Sequence, residues 1–317
     1  MNGAVAITED SAGADESVVA ATVQRRSDLR SAAAIGAHFG VVFGAVYAAA
    51  WIGPGWTTPL CWLWFGTLGH GFHLVMHECL HKLAFRESAR NERLACWLVA
   101  PLFFTDFDAL RNRHWRHHRT VGTAADPKYS YRIDVRGGRF LRLVGETLAM
   151  GGALRKASHQ VGGHSHASRE SARRSALAIA IVQPIFALSI VLAARLGHPG
   201  DWAGTWRAAA VAYGVVYAYG IASLTVLTAT LRAIAEHRPT GVDPVVRGDA
   251  AFRNFSRSAI DRWVFGTYGF AEHATHHRYP AVPSYALPEL TRRLAADDPT
   301  LVPVGTHFAV LARQISA

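Results

Sequence analysis

Four long apolar stretches alternate with polar, basic segments along the chain. They cover residues 31–52, 58–77, 175–194 and 208–231. Each is close to the roughly 20 residues that a helix needs to cross the hydrocarbon core of a bilayer. Only residues 53–57 separate the first two stretches, which predicts a tight hairpin. The pattern therefore predicts an all-α, polytopic integral membrane protein with four transmembrane helices in two hairpins.

Basic residues set the expected orientation. Of the 33 Lys and Arg residues, only Arg195 and Arg207 lie between the third and fourth stretches. Cytoplasmic segments carry the excess of Lys and Arg, so both chain ends and the long segment between the two hairpins are expected in the cytoplasm. Trp residues flank the two short connections, as interfacial aromatic residues do. The long segment and the C-terminal region together predict a helical cytoplasmic cap.

The remaining segments are too polar or too short to cross a membrane. Residues 1–30 are rich in Ala, Ser, Thr and acidic residues and lack a secretory signal, which predicts a disordered cytoplasmic tail. Residues 296–317 are expected to form a C-terminal cytoplasmic tail. The apolar stretches 94–104 and 141–153 predict interfacial or re-entrant pieces. Gly162, Gly163 and three histidines predict a flexible loop over residues 158–168.

Composition excludes several classes of protein. Half of the residues are apolar and 18% are charged, fewer than the roughly 25% typical of soluble proteins. The net charge of +10 arises from residues that alternate with long apolar runs, which argues against a nucleic-acid partner. Cys61, Cys79 and Cys96 form no CxxC pair, so neither a disulfide framework nor a thiolate metal site is expected.

Three histidine clusters lie on the expected cytoplasmic side. Within each cluster the spacing of three or four residues places the rings on one face of a helix, where they can share a metal. A strand would send adjacent histidines to opposite faces, so the spacing predicts helix as well as metal binding. The clusters consist of His77 and His81, of His114, His117 and His118, and of His273, His276 and His277.

His237 follows the fourth apolar stretch and is a ninth candidate ligand. Nine imidazoles exceed what one ion needs, so their number predicts two metal ions. Imidazole binds iron, copper and zinc alike, and the residues alone leave the metal open. His70 and His73 continue the face of His77 deeper into the second stretch and are not assigned as ligands.

Two other functions fit part of this pattern. The first cluster is also an HExxH motif, in which Glu78 would be the general base of a zinc protease. A protease of this kind needs one further ligand and would leave most of the other two clusters without a role. A metal transporter or sensor predicts ligands within the spans, whereas most of these histidines lie outside them.

The order and spacing of HxxxH, HxxHH and HxxHH resemble the membrane fatty acid desaturases and hydroxylases, in particular a bacterial desaturase-like branch. The segments around Lys82, Glu236 and Tyr279 are similar to that branch as well. The resemblance implies a desaturase-like domain over residues 31–295 and a diiron centre in the bacterial inner membrane, with its active site on the cytoplasmic side. The implied iron ligands are His77, His81, His114, His117, His118, His237, His273, His276 and His277.

The resemblance also implies a reaction. An O2-dependent desaturase would introduce a double bond into a fatty acyl or similar apolar chain reached from the membrane lipid. A hydroxylase or an oxidative decarboxylase would use the same diiron chemistry. The chain lacks an iron–sulfur cysteine pattern, so electrons are expected from a separate ferredoxin, rubredoxin or cytochrome. Glu78 and Glu236 are candidates to orient ligand histidines, and Asp126 before Pro127 is assigned to a turn.

Overall fold

The computed structural model describes residues 27–154, 168–256 and 258–317 of the chain. Most of the expected tail, residues 1–30, and most of the expected loop, residues 158–168, lie outside these ranges. Of these two segments, the structure describes residues 27–30 and Ser168. Helices dominate the described residues, as the apolar pattern predicts. The exception there is one antiparallel hairpin, formed by β1 (Val245–Arg247) and β2 (Ala250–Phe252).

Twelve α-helices form most of the rest of the described chain. Wider, π-type turns prolong α4 to Leu102 and interrupt α8 at Ala212–Tyr219 and Ile221–Thr225. The helices are α1 (Asp28–Ile52), α2 (Thr57–Leu68), α3 (Gly71–Leu80), α4 (Ser88–Leu94), α5 (Phe107–Thr120), α6 (Gly138–Leu148), α7 (Arg169–Gly197), α8 (Trp202–His237), α9 (Ala259–Val264), α10 (His273–Arg278), α11 (Leu287–Leu294) and α12 (His307–Ser316).

Three helices of the described chain are long and apolar enough to cross a membrane. These are α1, α7 and α8, and they contain the stretches predicted as the first, third and fourth spans. On α7, large apolar side chains recur every three or four residues on the outer face, where water would oppose their exposure and lipid would not. They are Leu177, Ile181, Ile185, Leu188, Leu192 and Leu196.

The stretch predicted as the second span, residues 58–77, is interrupted. It forms α2 and α3, of 12 and 10 residues, each too short to cross alone. The Thr225 hydroxyl on α8 donates to the carbonyl oxygen of Gly66 (2.9 Å), the acceptor that a regular helix would offer to the amide of His70. A side chain at Gly69 would also collide with Thr225, since its Cβ would lie 2.9 Å from the Thr225 Oγ1.

Aromatic rings hold the membrane-length helices to α2. Phe43 of α1 packs edge-on against Phe65 of α2 and Phe186 of α7, with ring centroids 5.5 and 5.3 Å apart. Tyr217 of α8 lies against Phe186 at 4.7 Å, and its hydroxyl bonds to the carbonyl of Leu102 (2.5 Å). The end of the prolonged α4 is thereby fixed to the helix bundle.

The shorter elements pack around the end of α8. Helix α12, within the segment expected as a tail, buries Val310 and Leu311 in the cluster that includes Ile234 of α8. Helix α6 covers part of the apolar stretch 141–153; it buries Leu143 and exposes Leu141, the two-faced character expected at a membrane surface. These elements enclose the end of α8 that carries His237.

Candidate metal centre

Helices α3 and α5 bring the first two histidine clusters together. His77 and His81 lie one turn apart at the end of α3, with ring centroids 4.6 Å apart. Helix α5 begins at the Asp106 cap, whose carboxylate accepts a hydrogen bond from the Ala109 amide (2.9 Å). From α5, His114 reaches His81, and their Nε2 atoms lie 2.7 Å apart.

A backbone turn aims the third cluster at the other two. Tyr268 and Gly269 have positive φ angles of 52° and 74°, and three residues separate Gly269 from the start of α10. Gly269 is required there because a Cβ would lie 2.6 Å from the carbonyl oxygen of Ser284. Asn254 then holds α10 in place by accepting from the Thr275 amide (3.1 Å) and donating to the Thr275 hydroxyl (2.9 Å).

The nine predicted ligands meet in two adjoining groups. In the first, which we call the five-histidine group, the donor atoms all lie within 4.8 Å of one another. The same holds for the donor atoms of His117, His237 and His277, which belong to the second group. His273 joins the latter through His237, since their Nε2 atoms are 2.9 Å apart. We call these four the four-histidine group. The five-histidine group consists of His77, His81, His114, His118 and His276.

Several ring nitrogens in these groups are buried without a hydrogen-bond partner among the described residues. A buried polar atom with no partner costs free energy, which a bound metal ion would offset. Imidazole nitrogen is a ligand of iron, copper and zinc, so the donor set fits a transition-metal pair. The atoms are His77 Nδ1, His118 Nε2 and His276 Nε2 in the five-histidine group and His117 Nε2 and His273 Nδ1 in the four-histidine group.

Burial favours the neutral form of these imidazoles. It lowers the pKa of His114, His118, His276 and His277 well below the ordinary value, and neighbouring imidazoles lower it further. A histidine must be neutral to bind a metal, so the site is ready for metal at neutral pH without displacing protons from these rings.

Hydrogen bonds fix the orientation of two rings in the four-histidine group. His117 donates through Nδ1 to Asp126, whose carboxylate oxygens lie 2.9 and 3.0 Å away. His237 donates through Nδ1 to the carbonyl oxygen of Ala251 in strand β2 (3.2 Å). A carboxylate and a carbonyl can only accept, so each bond leaves Nε2 with the lone pair that a metal requires.

Asp126 has a second role that its position before Pro127 does not predict. It does form the expected turn, because it accepts from the Lys128 amide (2.9 Å). The same carboxylate also accepts from the Tyr131 hydroxyl (2.9 Å) and from His117. Burial raises the pKa of Asp126, but these hydrogen bonds outweigh burial and leave the pKa below its ordinary value. In the sequence, this role was indicated only by the presence of a single acidic residue soon after an HxxHH cluster.

The two acids singled out from the sequence lie in different surroundings. Glu236 is fully buried and lies 3.6 Å from Nδ1 of His273, beside Arg232 and Lys128. Glu78 instead accepts a hydrogen bond from the Ser284 amide (3.1 Å). It lines a separate cavity of about 430 Å³ on the other side of α3, which none of the nine histidines lines.

A second cavity, of about 280 Å³, opens directly onto the histidines. His77, His114, His117, His118, His273 and His277 form part of its wall. Apolar side chains of α3, α5 and α8 form much of the remainder, namely Leu74, Leu80, Leu110, Val226, Ala229 and Ala233. The arrangement can hold an apolar chain against a metal pair. We call this space the histidine-lined cavity.

Comparison with known proteins agrees with this arrangement. A family model described as fatty acid desaturase matches residues 54–307, which include all nine histidines. The chloroplastic omega-6 fatty acid desaturases of Brassica napus and Arabidopsis thaliana are each 31% identical to this chain over 65 residues. That alignment covers 20% of the chain and only 14% of each plant protein.

Proposed function

The chain belongs to the fatty acid desaturase family, and from this premise we propose that it is an O2-dependent diiron desaturase of fatty acyl or similarly apolar chains. The observation that carries the proposal is the histidine-lined cavity, in which two groups of neutral imidazoles share a wall with apolar side chains. Bound iron would supply the redox chemistry that activates dioxygen. The nine histidines would hold the two ions.

The residues of the chain contribute positioning and exclusion of water. Leu74, Leu110 and Ala233 would hold the acyl chain beside the histidines, since a shift of about 1 Å changes which hydrogen is reached. The overall reaction removes hydrogen atoms from two adjacent carbons. With two electrons and two protons it reduces dioxygen to two water molecules. A separate ferredoxin, rubredoxin or cytochrome would supply the electrons.

We further propose that α2 and α3 together form a fourth, broken span. The pair begins after Gly53, which lies against His198 in the connection between α7 and α8, and ends at His81 in the histidine centre, at the opposite, His237 end of α8. Interrupted helices are tolerated in membranes where neighbouring side chains satisfy the freed backbone, as Thr225 does here. The histidines and α5, α6 and α9–α12 would then form a cap on the cytoplasmic side of the bacterial inner membrane.

Two other reactions remain candidates on the same metal centre. A hydroxylase or an oxidative decarboxylase would need the same ligands and the same cavity. The zinc-protease alternative is less well supported, because its general base Glu78 would have to face the metal-bound water. The Glu78 carboxylate bonds instead to the Ser284 amide and lines the separate cavity.

Metal analysis and lipid mass spectrometry together test this proposal. The purified protein should contain about two irons per chain, and membranes supplied with a reductant should form acyl chains that lack two hydrogen atoms. Gain of one oxygen atom would indicate the hydroxylase, and one zinc with peptide cleavage would contradict the proposal. His276→Ala should abolish turnover. His198→Ala, in the connection between α7 and α8 and outside both histidine groups, is the matched control.

A further inference from the structure

Three cationic side chains line the histidine-lined cavity, and two of them share one acid. Lys128 Nζ lies 3.5 Å from Oε2 of Glu236, and Arg232 Nη1 lies 3.1 Å from Oε1 of the same carboxylate. Arg232 also lies over the ring of Phe270, 4.2 Å from its centroid. One buried carboxylate therefore faces two cations, and the cavity has an excess of positive charge.

Arg113 is the third cation, and it has no such partner. It lies on α5, directly before His114, half-buried in the cavity wall. Within residues 27–154, 168–256 and 258–317, no carboxylate lies within ion-pair distance of its guanidinium group, and no hydrogen bond joins it to another described residue. By contrast, Arg111 in the same helix pairs with both Glu92 (2.9 Å) and Asp108 (2.6 Å).

Removing a charged group from water without a partner is costly, so a half-buried guanidinium facing a cavity is suited to receive an anion. Its planar array of N–H donors matches two oxygens of a carboxylate or phosphate. The apolar wall begins beside it, with Leu110 one turn earlier on α5. We propose that the substrate carries an anionic group, a carboxylate or a phosphate, which Arg113 binds while the hydrocarbon chain lies along that apolar wall.

The proposal rests on the proposed function only in taking the histidine-lined cavity as the place where the substrate binds. It adds that the substrate is an amphiphile whose charged end enters the cavity. An apolar chain with a neutral end would leave Arg113 unpaired when bound. Arg113 would therefore select among substrates by their head group, whereas the histidines would not.

Binding without turnover tests this directly. The iron-loaded protein in neutral detergent is titrated with dodecanoate, dodecyl phosphate and dodecanol, with the carboxyl group ionised. We expect at least one of the two anions to bind about 10-fold or more tightly than dodecanol, as expected for a charge-assisted hydrogen bond. The better anion distinguishes a free fatty acid from a phosphorylated lipid. Equal affinity for all three would overturn the proposal.

Variants locate the preference at Arg113. Arg113→Gln should bind dodecanol as the unmodified protein does and lose the preference for the anion, whereas Arg113→Lys should retain part of it. Arg116→Gln is the matched control, because Arg116 is half-buried on the same helix but does not line the cavity. If Arg113→Gln keeps the full preference, the assignment is wrong. An intact preference in a protein that forms no oxidised product would contradict the desaturase function and leave the anion site standing.

Discussion

Nδ1 of His117 lies 2.9 Å from Oδ1 of Asp126, and both side chains are buried. The hydroxyl of Tyr131 donates a hydrogen bond to Asp126 and accepts one from the amide of Gly122 (3.2 Å). The ring of His117 therefore has one orientation, with Nε2 directed to the four-histidine group. Asp126, which is not a predicted metal ligand, thus determines the orientation of the predicted ligand His117.

We expect Asp126→Asn to weaken metal binding at the four-histidine group. The amide is a poorer acceptor than the carboxylate, and loss of such a partner weakens metal affinity by roughly 10- to 100-fold. Iron content should fall from about two towards one per chain in the presence of a competing chelator. Asp134→Asn is the control, since Asp134 pairs with arginines at the surface. Unchanged iron retention in Asp126→Asn would show that the hydrogen bond does not support the metal.

Gly122 brings the β1–β2 hairpin against the four-histidine group, and we expect Gly122→Ala to destabilise the protein. Its φ angle is +82°, and a Cβ would lie 1.7 Å from the carbonyl oxygen of Arg247. Gly137→Ala is the matched control, because Gly137 also has a positive φ but no neighbour within 4 Å of the added atom. The free energy of unfolding should fall by about 1–3 kcal/mol more in Gly122→Ala than in Gly137→Ala. Thermal unfolding followed by tryptophan fluorescence measures the difference, and equal losses would contradict it.

Single cysteines test whether α2 and α3 cross the membrane. The three native cysteines are replaced by Ala, and one Cys is then introduced at the exposed positions Trp56, Arg142 or Trp202. With four spans, Cys at 56 and 202 should react with an impermeant maleimide from outside the cell, and Cys at 142 should react only after lysis. Labelling of positions 56 and 142 from the same side would instead mean three crossings.

Glu236→Gln should be the most destabilising change of a single carboxylate near the site. It would leave the buried Arg232 and the half-buried Lys128 around a neutral amide, and breaking a buried ion pair costs about 3–5 kcal/mol. Glu78→Gln, in the separate cavity, should cost less because its hydrogen bond to the Ser284 amide can be kept by the amide oxygen. Chemical unfolding of both variants measures the order, and a reversed order would contradict this reasoning.

Periodicity and residue spacing predicted much of this molecule. Apolar length located α1, α7 and α8, because a bilayer imposes that length on any span. The spacing of three and four residues placed the histidines of each cluster on one helical face, and the structure brings all nine together. Both inferences depend on residues within a single helix, and the length and spacing of such residues can be read directly from the sequence.

Contacts between distant segments were not predictable in this way. The interruption at Gly69 depends on Thr225, which lies more than 150 residues away, and its hydroxyl is one of many along α8. The β1–β2 hairpin has only three residues in each strand, too few for an alternating pattern to show. The link from Asp126 to His117 required knowing that the turn after α5 folds back onto the helix.

The division of the histidines into groups of five and four makes the metal centre unsymmetrical. Among the described residues, a carboxylate and a strand carbonyl accept hydrogen bonds from imidazoles of the smaller group, whereas the ligands of the larger group come from α3, α5 and α10 and have no such partner there. Two irons held there would differ in ligand number and in the basicity of their imidazoles. In a Mössbauer spectrum such a pair gives two separate quadrupole doublets, and the two irons would accept electrons at different potentials.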